Sequence, residues 1–95
     1  GAEFFHHRSS GATAKVAFRS AVEQAQYDHG HAGYTGTIAE KDSFVVIELP
    51  KGVDPYFYAS ELCKKCDSRI DDKWGPAGCF DLKDGSFYFF GWASS

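Results

Sequence analysis

Between residues 12 and 29, small apolar side chains return every three or four positions: Ala14, Ala17, Phe18, Ala21, Val22 and Ala25. That spacing lines one face of a helix. Alanine dominates the stripe, so the helix is expected to lie close against a sheet. Gly30 follows as a residue able to take positive φ and end it. The period then changes. Residues 35–41 and 44–49 carry many β-branched side chains and flank Asp42-Ser43, which predicts a pair of strands. Pro50-Lys51-Gly52 interrupts the pattern. Asp54-Pro55 reads as the N-cap and first residue of a second helix. It is expected to run to about Arg69, with Tyr58, Leu62, Cys63, Cys66 and Ile70 facing inward. Asp84-Gly85 stands between two apolar runs and predicts a two-residue hairpin turn. That turn would set Phe80, Leu82, Phe87 and Phe89 on one face, and Cys79, Asp81, Tyr88 and Phe90 on the other, with Trp92 beyond.

An internal repeat organises these elements. Gly33-Tyr34-Thr35-Gly36-Thr37-Ile38-Ala39-Glu40-Lys41-Asp42 is followed by Ser43-Phe44. Gly75-Pro76-Ala77-Gly78-Cys79-Phe80-Asp81-Leu82-Lys83-Asp84 is followed, after Gly85, by Ser86-Phe87. Both stretches keep Gly-x-x-Gly, a large apolar residue two places on, Lys-Asp and Ser-Phe, and both follow a helix. The expectation is an α+β fold made of a duplicated αββ unit (αββαββ). Four antiparallel strands would carry two helices on one face. At 95 residues this is a single domain: a leading segment over 1–11, one unit over 12–50 and the second over 54–93.

Nine Phe, five Tyr and two Trp change the picture, because one small core can hardly bury them all. Rings left outside imply a partner, and Tyr88, Phe90 and Trp92 are the expected contact row, in a homodimer or with another protein. The net charge is −3 and the bases are scattered, which argues against duplex DNA. No apolar run is long enough to span a membrane. Three cysteines fit a reducing compartment, so the cytoplasm is the expected location.

Candidate chemistry is sparse. Arg8, Ser9, Ser10 and Thr13 lead into the first helix, whose free N–H groups favour an anion such as phosphate. Ordinary capping accounts for the same hydroxyls. His29 and His31, beside Asp28 and Tyr34, sit at the other end of that helix and offer acid–base or ligand contacts. Cys63 and Cys66 are read as core thiols, and with Cys79 they fall short of a four-ligand zinc set, so neither a metal nor a cofactor is expected. No Gly-rich phosphate loop or nucleophile elbow is present.

The segment His31 to Lys41, with Phe87 to Ala93 as the last strand, resembles small uncharacterised proteins of bacteriophages and other mobile elements. The resemblance implies an accessory or inhibitor protein of the host cytoplasm that binds a host protein or sequesters a small ligand without turnover. The leading expectation is therefore a non-enzymatic binding protein for a host protein or a nucleotide-like anion. The alternatives are a small hydrolase or nucleotide-processing enzyme using His29 and His31, and a single-strand nucleic-acid binder on the aromatic sheet face.

Overall fold

The chain begins with a strand. In a computed structural model describing residues 1–95, β1 spans Ala2–Ser10, α1 Ala14–His29, a short 3-10 turn Ile38–Glu40, β2 Phe44–Val46, α2 Pro55–Lys64, β3 Ala77–Asp81 and β4 Ser86–Ser94. The class is α+β, as expected, with two helices and a four-stranded sheet ordered β1-β4-β3-β2. Its plan differs from a duplicated αββ unit. The sheet is mixed: β4 runs antiparallel to both neighbours, while β2 pairs with β3 in parallel. The stretch 1–11, expected to be a segment leading into the first unit, supplies the nine-residue edge strand β1.

The helices cover opposite faces rather than one. Ala17, Ala21 and Ala25 of α1 pack with Phe5, Ile38, Cys79, Phe87 and Phe89. Ala59, Leu62 and Cys63 of α2 pack with Ile47, Ile70, Phe80, Tyr88 and Phe90. Topology explains the split. The chain crosses the sheet from β1 to the far edge at β2 through α1, then steps back to β3 through α2. Two crossovers of one hand that travel in opposite directions must lie on opposite faces. With helices on both sides, strands are buried on both sides and lose their alternation. β4 is accordingly a nearly unbroken run of buried residues, and Phe4 and Phe5 of β1 go to opposite faces.

The two copies of the repeat adopt different conformations. Residues 38–40 form the 3-10 turn, whereas residues 77–81, which begin inside the second Gly-x-x-Gly, form β3. There is no first hairpin. β2 is a three-residue strand beside β3, extended by one further bond from the Ile47 N–H to the Cys79 carbonyl at 2.8 Å.

The second hairpin exists, shifted by one residue. Asp81 lies opposite Phe87, and the Leu82 N–H donates to the Ser86 carbonyl at 3.1 Å. The loop is thus three residues, with Lys83 at φ 64° and Gly85 at φ 86°. Asp81 and Asp84 side chains accept the Lys83 and Ser86 N–H groups at 2.8 and 3.0 Å and hold it. A one-residue slip exchanges faces. Phe80 joins Tyr88 and Phe90 under α2, and Cys79 joins Phe87 and Phe89 under α1. Gly78 is required here, since a Cβ would come within 2.4 Å of the Phe90 ring.

Local signals explain the helix ends. Thr13 caps α1 by accepting the Val16 N–H at 3.2 Å, and Gly30 closes it at φ 87°. Asp54 caps α2 by accepting the Phe57 N–H at 2.9 Å, with Pro55 first in the helix. Its other end comes earlier than the apolar stripe suggests. Cys66 takes φ 54°, and the N–H groups of Cys66 and Asp67 donate to the carbonyls of Cys63 and Leu62 at 3.1 Å each. This is a Schellman stop with Cys in place of the usual Gly. Cys66 is consequently exposed and not in the core, while Cys63 and Cys79 are buried. Burial pushes the Cys63 thiol up to about 11 and the Cys79 thiol to about 12, so both stay protonated near neutrality.

Candidate functional site

Two consecutive ionisable side chains, Glu40 and Lys41, organise one end of the molecule. Thr37 caps the 3-10 turn by accepting the Ala39 N–H at 3.2 Å, and its hydroxyl meets that of Thr35 at 2.9 Å. This turn aims the Glu40 carboxylate back at the preceding loop. One of its oxygens accepts from the Thr35 N–H, from the Thr35 hydroxyl at 2.8 Å and from the Gly36 N–H at 3.0 Å. The other accepts from the Ser94 N–H at 3.1 Å and from the Ser94 hydroxyl. Burial favours the neutral acid, but the bonds from Ser94, Thr35 and Gly36 outweigh it and hold the carboxyl below its ordinary value. The loop is thereby tied to the last strand, and Tyr34 just before it is held at φ 68°.

Lys41 turns the opposite way and is only 3% exposed. Its ammonium donates to the carbonyls of Lys73 at 3.0 Å and Gly75 at 2.9 Å, and stands 5.9 Å from the centre of the Phe5 ring. Burial pulls its pKa down, while the negative charges of Asp72 and Glu40 act against that. The two carbonyls bracket Trp74. One ionised side chain therefore fixes the loop after Tyr34, and its neighbour fixes the loop on both sides of Trp74.

The two rings these loops carry lie outside the core. Tyr34 is 68% and Trp74 62% exposed, and they meet edge to face with centroids 6.0 Å apart. The Lys73 ammonium stands 5.7 Å from the Trp74 ring. Tyr34 is among the residues expected from sequence. Trp74, Glu40 and Lys41 were not singled out, although both charged residues belong to the repeat.

The remaining expected site residues are dispersed. Arg8 pairs with Asp84 at 2.7 Å and donates to the Ser86 hydroxyl at 3.1 Å. Ser9 and Ser10 lie within β1, opposite Phe87 and Ser86. Thr13 is the α1 cap. The sixteen residues of α1 then put about 24 Å between this end and His29, so Arg8, Ser10 and Thr13 are not brought together with His31 and Tyr34. His29 and Asp28 line a crevice of about 280 Å³ with Glu3, His7 and Thr37. Burial lowers the His7 pKa, Asp28 raises it and His6 lowers it. His31 is exposed in the following loop. No group of three or more His, Cys, Asp or Glu is arranged to hold a metal ion. A hollow of about 860 Å³ lies between residues 46–53 and Asp81–Lys83, and there Lys83 faces Asp81 at 3.7 Å. Tyr88 and Phe90, expected to be exposed, are buried beneath α2, and Trp92 is half-buried. The aromatic sheet face is thus covered.

These features define a small α+β domain with a mixed sheet between two helices and an aromatic pair mounted at one end. No protein-family model matches the chain, and neither a curated protein nor a solved structure does. No helix is long and apolar enough to cross a membrane.

Proposed function

We propose that this chain is a non-enzymatic binding protein whose contact site is the Tyr34–Trp74 pair, and that its occupant is a protein. The observation that carries the reading is the way the pair is held. Burying an ammonium and half-burying a carboxylate costs desolvation energy, and a packed apolar core achieves stability without them. What the two charges achieve here is fixed presentation of two large rings outside the core. Rings held in place before contact lose little freedom on binding. Tyr and Trp are also the side chains on which binding energy concentrates at interfaces. Projecting rings suit a partner that supplies its own pockets. A nucleotide would need the anion cluster of Arg8, Ser10 and Thr13, which is committed to Asp84, Ser86 and the α1 cap. With the resemblance to phage proteins, the partner is a protein of the host.

Tyr34→Ala combined with Trp74→Ala tests this. Because both rings are exposed, the melting temperature is expected to move by no more than about 4 °C. Affinity enrichment from the source cells, read by quantitative mass spectrometry, should show a protein retained by wild type and lost by the double variant. Calorimetry on that purified protein should show a loss of about 2–4 kcal/mol. Equal enrichment by both proteins would reject the reading. So would a small ligand carried by wild type through native mass spectrometry.

A further inference from the structure

A second surface lies away from that pair, along the free edge of β1. This strand is nine residues long and is bonded only to β4. An edge of that length presents a row of unpaired N–H and C=O groups. On the face of α2, Phe4 and His6 of β1 stand beside the helix, with ring centroids 6.1 and 5.1 Å from Tyr56. Tyr56, Ser60 and Lys64 recur every four residues and form one stripe of α2. Strand and stripe border a groove, and it deepens into a hollow of about 210 Å³ lined by Phe4, Ser60, Cys63, Lys64 and Trp92.

We propose that this edge and groove take an extended acidic peptide, added as a fifth strand, with one apolar side chain in the hollow and a neighbouring carboxylate on Lys64. In an added strand, alternate side chains face the groove while the backbone supplies the bonds. Charge selects the occupant. Lys64 is the one charged residue lining the hollow, and its side chain is 74% exposed with only Glu61 at 3.6 Å. Arg8, on the same face of β1, is already paired with Asp84 at 2.7 Å, so Lys64 is the charge that selects. The incoming strand is therefore an acidic one.

The test is selection from a random-peptide display library on the folded protein, followed by heteronuclear NMR titration of the enriched peptide. Selected sequences should alternate apolar and polar residues, with Asp or Glu beside a Leu, Ile or Phe anchor. Amide shifts should concentrate in Ala2–Ser10 and α2. Lys64→Glu reverses a charge on the surface and should weaken binding by about tenfold or more. Ser60→Phe fills the hollow and should abolish binding with the melting temperature kept. The double variant of Tyr34 and Trp74 should bind the same peptide as wild type, which separates this surface from the other. The proposal is overturned if no sequence is enriched, if the shifts map to the Tyr34–Trp74 end, if both groove variants bind normally, or if the free protein dimerises through β1.

Discussion

Residues 33–44 and 75–87 carry almost the same run of Gly, Lys-Asp and Ser-Phe, yet one becomes a clamp and the other a hairpin. Their equivalent lysines show the divergence. Lys41 is buried with its ammonium on two carbonyls, whereas the Lys83 side chain is 83% exposed and reaches Asp81 at 3.7 Å. The equivalent apolar residues also part company. Ile38 packs under α1 and Phe80 under α2. The reason lies in what each stretch meets. The second has β4 immediately after it and pairs with it. The first is followed by a three-residue strand that pairs elsewhere, so its polar side chains turn inward to satisfy loops. Similar turn chemistry therefore specifies where the chain can bend, and tertiary partners decide what the bend becomes.

Truncation at the equivalent apolar positions gives the largest expected effect. Phe80→Ala should cost about 4 kcal/mol and Ile38→Ala about 3 kcal/mol in urea unfolding. The two should disturb different NMR signals, those around Leu62 and Ile70 for Phe80 and those around Ala21 and Phe87 for Ile38. Coincident patterns would mean that the two stretches share one environment. The lysine pair comes next. Lys41→Met leaves the carbonyls of Lys73 and Gly75 without a donor and should cost about 2 kcal/mol. Lys83→Met should stay within about 0.5 kcal/mol. Equal costs would break the distinction between clamp and hairpin.

The smallest effect appears on acidification. The folded Glu40 carboxyl holds its proton less tightly than the unfolded one, so below pH ~4.3 the unfolded chain takes up protons first. The stability it contributes is complete above that pH and is lost as pH falls through the lower folded value. Asp67 titrates in the same direction, held at about 2 by hydrogen bonds from Arg69. Glu40→Gln should accordingly flatten only part of the acid limb, seen as the difference between the two proteins' unfolding midpoints across pH 2–6. An unchanged limb would show that the Thr35, Gly36 and Ser94 bonds do not depend on the charge. The second stretch has Leu82 at the matching position and offers no counterpart.

What was legible in the sequence is what neighbours in sequence decide. The alanine stripe, Gly30 and Asp54-Pro55 placed the end of α1 and the start of α2, and the start of α1 to within two residues, because caps and helical faces are local. The stop at Cys66 was hidden, since a non-Gly residue takes the left-handed turn there. β1 was hidden for another reason. Its two adjacent phenylalanines serve opposite faces, and the strand that makes it a strand lies at the other end of the chain. The hairpin was visible but its register was not, because the Asp81 and Asp84 side chains stabilise a loop one residue longer than Asp84-Gly85 alone suggests. At the site, Tyr34 stood out as a ring between glycines. Nothing in the spelling of Glu40-Lys41 indicates that one charge reaches Ser94 and the other brackets Trp74.

The pairing of β1 with β4 joins Ala2 to Ser94. Such a ladder closes nearly the whole chain as one loop, and contact order of that kind slows folding. β1 is also made long before β4 is available, so Phe4 and Phe5 must wait without their partner strand while α1, β2 and α2 are synthesised. β4 alone joins β1 to β3, so without it only the short β2–β3 pair is available. Completion of the fold is thus a late event, and deletion of Ser86–Ser94 should leave β1 with no strand to pair with.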